Sequence, residues 1–436
     1  MEHAGIGMGM PLFKVRDIVE ENNVVVFSSN YALYGDLSLR LADAFHEFTP
    51  DVEVYSIDED FLGLEERPGQ TFREQGLEIR AKVYRWVGIP CSLGVSTTKT
   101  LSKVAQRYTK KHPEAQGVPD LTDPSDQTAV LNETPVGDVW GVGPAYSKLL
   151  KGAGLETARQ LRDADRRWVR QRMTVVGARI VEELRGVSCL PLEKCPQGRK
   201  SVARSRSFGE RVESPDGLRE AVAVYMTKAA ERLRRSRLAA GVVTVFINTS
   251  RFDPGAQYSN SATFELAYST DSTDELLAWA LKGLEQIYRP GYRYKKAGMM
   301  LNRLSPAEQL SMRLFGDERF EKSRRVMKAV DEINARHGRS TIRFGAAPAK
   351  GRWETKFLWR SRYRDLTRPL FVNGRCPHPE PTIQAFGSAA RPDQAADSTR
   401  PEANPHPLLV LTPTSDSIKK PSRFVHKLVQ SRPGGD

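Results

Sequence analysis

Long apolar runs are missing from this chain. Nowhere in its 436 residues is there a stretch able to cross a bilayer, or a positively charged leader with an apolar core. A soluble, cytoplasmic protein is therefore expected. Cysteine is scarce too: Cys91, Cys189, Cys195 and Cys376 form no Cys-x-x-Cys pair and no zinc spacing, which argues for free thiols in a reducing compartment. No nucleophile constellation of a repair nuclease or glycosylase can be identified, and no convincing internal repeat. Acidic residues are short relative to basic ones, 53 against 66, a formal charge of +13. That excess favours a polyanionic partner such as nucleic acid. The length leaves room for roughly two to four domains with real cores.

What is present is ordered along the chain. Residues 1–120 read as mixed α/β, with a short strand at Val24–Phe27, helical periodicity through Leu33, Leu37, Leu41 and Phe45, and an apolar helix face at Phe72, Ile79, Val83 and Trp86. Cys91–Ser96 reads as a strand, followed by an amphipathic helix marked by Leu101, Val104, Ala105 and Tyr108. Residues 125–190 look all-helical, and about Leu192 to Ser201 the chain thins to a tether. From 201 to 304 the pattern is β-α-β-β-α-β, with strands at Gly241–Ser250, Ser261–Tyr268 and Lys295–Leu304. Eleven of the 27 prolines fall in the last 68 residues among Ser, Ala, Asp and Arg, a composition expected to remain disordered.

The chemistry concentrates in Tyr55-Ser56-Ile57-Asp58-Glu59-Asp60-Phe61. Val52, Val54 and Ser56 alternate with Glu53, Tyr55 and Ile57, so acidic side chains are expected at the end of a half-buried strand. Adjacent carboxylates suit Mg²⁺, which takes one or two of them plus substrate phosphates; the alternative is an exposed hairpin turn. Lys99, Lys103, Arg107 and Lys110 are spaced to form one helical stripe, facing either solvent or phosphates. Gly141-Val142-Gly143 before a helix is the core of a helix-hairpin-helix, in which helix N-terminal amides hold a phosphate without reading its base. An ordinary helix–helix turn is the alternative. Arg204 and Arg206, two apart within the basic run Arg199, Lys200, Arg204, Arg206 and Arg211, share one sheet face, either tracking a DNA backbone or solubilising an edge strand. The Arg232, Arg234, Arg235 and Arg237 group is expected to be a solvated helix face.

Together these stretches resemble a Y-family (translesion) DNA polymerase of the UmuC type. Ser56–Glu59 is similar to the second metal-binding motif of that family's palm. Phe27–Tyr31 and Tyr34–Ser38 are similar to the segment before it, and Gly94-Val95-Ser96 with Lys99, Leu101, Lys103 and Lys110 to the phosphate-side helix. The resemblance, which runs to about residue 365, implies a multidomain α/β and α+β fold. Residues 1–120 would form a partial fingers and palm, 121–192 a helical helix-hairpin-helix thumb, 193–200 a linker and 201–304 a β-α-β-β-α-β little finger. Residues 305–368 would be the UmuC-type C-terminal region and 369–436 a disordered tail. It implies two Mg²⁺ ions on Asp58 and Glu59 for nucleotidyl transfer, Lys110 on the triphosphate, and Lys99, Lys103, Gly141, Gly143, Arg204 and Arg206 on primer-template or damaged DNA. Gln309-Leu310-Ser311-Met312-Arg313-Leu314-Phe315 resembles a bacterial sliding-clamp peptide, with Gln309, Leu310, Met312, Leu314 and Phe315 as anchors; a short core helix is the alternative. UmuD′-type accessory subunits and RecA are further implied partners.

One departure stands out. The family's palm takes a third carboxylate from an N-terminal strand of the Asp-x-Asn-x-Phe-Tyr-Ala type, and no such motif precedes Asp58 here. Ala4–Pro11 is instead similar to the family's post-finger region. Either the start lies upstream of Met1, or the chain is a truncated DNA- and clamp-binding remnant. Asp60, where the family tends to carry a small residue, is an extra acid near the site.

Overall fold

The computed structural model describes residues 5–7, 9–109, 112, 116–194, 198–308, 318–338, 340–347 and 408–413, with only the backbone placed at 318–321 and 411–413. Contacts divide the chain into two units, 1–196 with 358–436, and 197–357.

The first unit opens with α1 (Arg16–Glu21) and α2 (Tyr31–His46), the latter capped by the Asn30 side chain on the Leu33 amide. Between them Val24–Phe27 form no strand: Val25 and Phe27 are exposed, and no strand among the described residues pairs with them. A hairpin of β1 (Val52–Val54) and β2 (Asp60–Gly63) leads to α3 (Phe72–Val87), which a Thr71/Glu74 capping box starts and left-handed Gly88 ends. Then come β3 (Cys91–Ser96), α4 (Lys99–Tyr108), β4 (Asp120–Leu121), α5 (Pro124–Glu133), α6 (Pro144–Gly152), α7 (Ala158–Asp163) and α8 (Arg166–Leu184).

The sheet of this unit runs β1-β2-β9-β3-β4, where β9 is Leu408–Pro413 from the far end of the sequence. β9 lies antiparallel to both neighbours, and β3 pairs parallel with β4. Within the segment expected to be disordered, Leu408-Leu409-Val410-Leu411 is an apolar island whose character vanishes when composition is averaged over the Pro-rich stretch. On one face, Leu93 and Val95 of β3, Leu62 of β2 and Leu409 of β9 join Leu41, Phe45, Ile79 and Val83 of α2 and α3 in a core. On the other, β3 is stripped to Ser92, Gly94 and Ser96, which lets α4 lie directly on the strand. A Cβ at Gly94 would stand 2.2 Å from the Ser102 carbonyl oxygen. Leu101 and Val104 of α4 reach into a second core shared with α5 to α8.

The second unit contains β5 (Val202–Val212), α9 (Pro215–Arg235), β6 (Leu238–Thr249), β7 (Ser259–Thr270), α10 (Thr273–Ile287), β8 (Tyr294–Pro306) and α11 (Glu318–His337). Its antiparallel sheet is ordered β5-β8-β6-β7, the β-α-β-β-α-β succession expected from the sequence. Val243, Val245 and Ile247 point into a core with α9 and α10. Arg234, expected on a solvated face, is instead forked onto Asp331 of α11 at 2.7 and 2.8 Å.

Candidate carboxylate site and nucleic-acid interface

Residues 55–59 close the β1–β2 hairpin, with the Tyr55 and Ser56 amides both donating to the Glu59 carbonyl at 3.1 and 2.9 Å. The acidic run is thus a hairpin turn, and its carboxylates are presented by that turn. The Ser56 hydroxyl donates to Asp58 Oδ1 at 2.6 Å and accepts from the Asp58 amide at 3.2 Å, which fixes the exposed Asp58 carboxylate. Asp60 differs. It is 3 % exposed and its Oδ1 has no hydrogen-bond partner. Burial, reinforced by the charges of Asp58 and Glu59, pushes its carboxyl up to about 7. Among the described residues, no group of three or more Asp, Glu, His or Cys side chains converges as a metal cage.

Lys99, Lys103 and Arg107 do form one stripe on α4, but every member meets an acid. Lys103 Nζ binds Glu59 Oε2 at 2.6 Å and sits over the rings of Tyr55 (4.4 Å), Trp140 (5.1 Å) and Phe61 (5.6 Å). Arg107 reaches Asp138 at 2.8 Å. Lys99, expected on the DNA side, is 4 % exposed, pairs with Glu53 at 2.5 Å and donates to the Pro191 carbonyl at 2.8 Å. The expected strand alternation fails for the same reason. Lys99 and the Glu193 amide draw Glu53 inside, while Val54 is left 54 % exposed. Lys110 lies outside the described residues.

Two features that shape this site leave no mark in the local sequence. The aromatic box of Tyr55, Phe61 and Trp140 assembles across the chain, with Tyr55 5.5 Å from both partners. Glu183 is fully buried at the end of α8, where its carboxylate accepts from the amides of Thr100 (3.1 Å), Cys189 (2.6 Å) and Leu190 (3.1 Å). It ties the start of α4 to the helical half of the unit. Its neighbours along the chain do not distinguish it from an ordinary helical glutamate.

The helix-hairpin-helix turn has a definite division of labour. Gly141 sits at φ +91°, a conformation that favours glycine, and a Cβ there would push on the tip of Ile180 at 2.7 Å. Gly143 caps α6 at φ −78°, and a Cβ there would meet nothing within 4 Å, which leaves the helix N-terminus open to an anion. In the second unit, Arg204 and Arg206 share a face of β5 as expected. That face is the helix-packed one, shared with buried Val202 and Phe208, and both arginines are half-buried rather than on an open basic strand. The opposite, helix-free face presents Ser205, Thr244, Phe246, Thr263 and Lys296, with Lys296 5.7 Å above the Phe246 ring. Gln309, Leu310, Met312, Leu314 and Phe315 lie outside the described residues.

The impB/mucB/samB family matches residues 1–107, and the impB/mucB/samB family C-terminal domain matches residues 199–314. Protein ImpB of Salmonella typhimurium is 38% identical over 81% of this chain and 84% of its own length. The chain belongs to the impB/mucB/samB family. Another relative, Protein UmuC of Salmonella typhimurium, is 37% identical over 84% of this chain and 88% of its own length. Residues 324–363 match a domain of unknown function. Among solved structures, a Y-family DNA polymerase chimera superposes with a TM-score of 0.56 at 18% identity, covering 69% of this chain and 84% of that one. At that identity the likeness shows the fold: a Y-family polymerase architecture. The acidic hairpin and all of α4 but Tyr108 fall within the family's first matched segment, and β5 to β8 within its second.

Proposed function

We propose that this chain serves as a UmuC-like subunit of error-prone translesion synthesis in the bacterial SOS response to DNA damage, acting on primer-template DNA in the cytoplasm. The observation that carries this reading is the acidic hairpin of Asp58 and Glu59, braced by Lys103 of α4, in a chain 37% identical to a UmuC protein over 84% of its length. The open end of α6 after Gly141 supplies a backbone-phosphate site, and Lys110 a triphosphate contact. The Gln309–Phe315 peptide would engage the sliding clamp, with UmuD′-type subunits and RecA as further partners of a protein of this family.

The donor set suits one Mg²⁺ better than two. Asp58 and Glu59 with water and a phosphate are a sufficient set for a single ion. A two-metal clamp needs ions roughly 3.5–4 Å apart with carboxylates shared between them. Asp60 is buried with its carboxyl facing no hydrogen-bond partner at Oδ1, Glu59 is engaged by Lys103, and β9 brings no acid to the sheet. The described residues therefore do not fit the full two-metal group. This observation favours a second reading, a DNA- and clamp-binding subunit without synthesis of its own.

Both readings require DNA binding. Affinity for primer-template DNA is expected to be independent of sequence. For roughly six phosphate contacts it should fall about 10³-fold between 50 and 200 mM salt. Gly143→Glu, which places a carboxylate at the open helix end, should weaken binding with folding intact. A flat salt response, or unchanged affinity in that variant, would overturn the proposal.

A further inference from the structure

The second unit holds a cleft of about 750 Å³ between α9 and α11, floored by the turn from β7 into α10. Its lining is mostly charged, and part of that charge is already settled within the protein. Arg234 forks onto Asp331, and its Nη1 donates to the Asp271 carbonyl and the Thr273 hydroxyl at 2.9 and 2.8 Å. Arg235 is paired with Glu231.

Asp271 is left over. It lines the cleft while only 7 % exposed, and beyond its own amide no group among the described residues donates a hydrogen bond to its carboxylate. Burial pushes this carboxyl up, against the nearby charges of Arg324 and Arg234, which pull it down. A carboxylate so placed is costly unless N–H donors reach it. At the rim, Arg325 and Lys328 of α11 are exposed, and neither pairs with an acid among the described residues. Glu332 is the unpaired acid beside them.

These leftovers specify a ligand with two ends. The end that reaches Asp271 must donate N–H hydrogens. It must also be neutral, because the guanidiniums of Arg324 and Arg234 already act on that carboxylate and would repel an ammonium or a guanidinium. The other end must be anionic, to meet Arg325 and Lys328. A neutral edge with two adjacent N–H donors matches the two oxygens of a carboxylate, and guanine presents such an edge through N1 and N2. Adenine and cytosine offer an amine beside an acceptor instead. The cleft lies within the size range of small-molecule sites, roughly 300–1,000 Å³.

We propose that the cleft between α9 and α11 is a binding site for a guanine nucleotide, with the base held by Asp271 and the phosphate by Arg325 and Lys328. The site lies entirely within the second unit, and it does not rest on the polymerase reading above.

The test titrates GMP into the full 436-residue chain by calorimetry in EDTA, which keeps divalent ions, and with them nucleotide binding at Asp58 and Glu59, out of the measurement. AMP and inorganic phosphate are titrated beside it. GMP should bind saturably, one per chain, at least roughly tenfold more tightly than either comparator. Asp271→Asn replaces one acceptor oxygen by a donor and should weaken GMP by a similar factor while leaving phosphate binding in place. Arg325→Glu/Lys328→Glu changes exposed positions only, and should weaken GMP and phosphate alike with the melting temperature unchanged. Should Asp271→Asn fail to fold, the rim variant and the ratio of GMP to AMP affinity decide. Absence of saturable binding at millimolar GMP would overturn the proposal, as would equal affinity for GMP and AMP. Phosphate binding as tightly as GMP would reduce the cleft to an anion patch, and GMP affinity unchanged in a folded variant would place the nucleotide elsewhere; either result contradicts the site assigned here.

Discussion

Gly94→Ala tests whether the close approach of α4 to β3 positions the lysine stripe. The added Cβ would lie 2.2 Å from the Ser102 carbonyl oxygen, 2.4 Å from the Gln106 nitrogen and 3.0 Å from the Ala105 Cβ. Two of these three atoms are backbone of a helix in regular hydrogen bonding, so no side chain can swing aside. To restore ordinary contact, α4 must back away from the sheet by about 1 Å, and overpacking of this kind costs about 1–3 kcal/mol. Lys99 moves with the helix, and its pair with Glu53 is buried at both ends. Loss of a buried pair costs about 3–5 kcal/mol when complete. Partial loss added to the overpacking gives an expected destabilisation of about 3 kcal/mol, a large share of a domain's usual margin.

The assay is hydrogen exchange over residues 91–108 across a urea series, which reads the first unit without interference from the second. Gly209→Ala serves as control, because nothing lies within 4 Å of a Cβ at that position. If Gly94→Ala stays within about 0.5 kcal/mol of wild type, the reasoning about the strand–helix approach is wrong.

Asp60 gives a pH-dependent expectation. Its folded-state carboxyl titrates near 7, above the ordinary 3.8, so the native state holds a proton that the unfolded chain has released between those values. Stability should therefore fall as pH rises from about 4 to 7 and level off above it, in metal-free buffer. Asp60→Asn should gain on wild type by about 2–3 kcal/mol between pH 5 and 8; parallel stability curves would refute the buried-acid account. For the clamp peptide, replacing Leu314 and Phe315 by Ala should weaken sliding-clamp binding at least tenfold, since hot-spot truncations cost about 2 kcal/mol or more. DNA binding should be unchanged, and unfolding of the double variant would make the segment core instead.

Periodicity made most of the secondary structure legible. The apolar spacing through Leu33, Leu37, Leu41 and Phe45 marks α2, of which Leu41 and Phe45 are buried and Leu33 and Leu37 half-buried, and the β-branched alternation of Val243, Val245 and Ile247, all buried, marks β6. Val24–Phe27 misled because propensity without a neighbouring strand forms no sheet. β9 went unseen for the opposite reason: its four aliphatic residues are informative only beside two edges supplied from more than 300 positions away. The stripe of Lys99, Lys103 and Arg107 follows from helical spacing, whereas its neutralisation by Glu53, Glu59 and Asp138 depends on tertiary contacts that spacing cannot reveal. Alternation likewise put Arg204 and Arg206 on one face, and only the placement of α9 and α10 decides that this face is the packed one.

Single-nucleotide primer extension by the purified 436-residue chain in Mg²⁺, beside the same protein with Asp58→Ala, decides whether the acidic hairpin is a working centre. Two carboxylates on one turn, a buried neighbour and an acid-free central strand predict that the chain binds primer-template DNA without adding a nucleotide. Robust Mg²⁺-dependent extension that Asp58→Ala abolishes would contradict this, and would show that the carboxylates described here suffice for transfer.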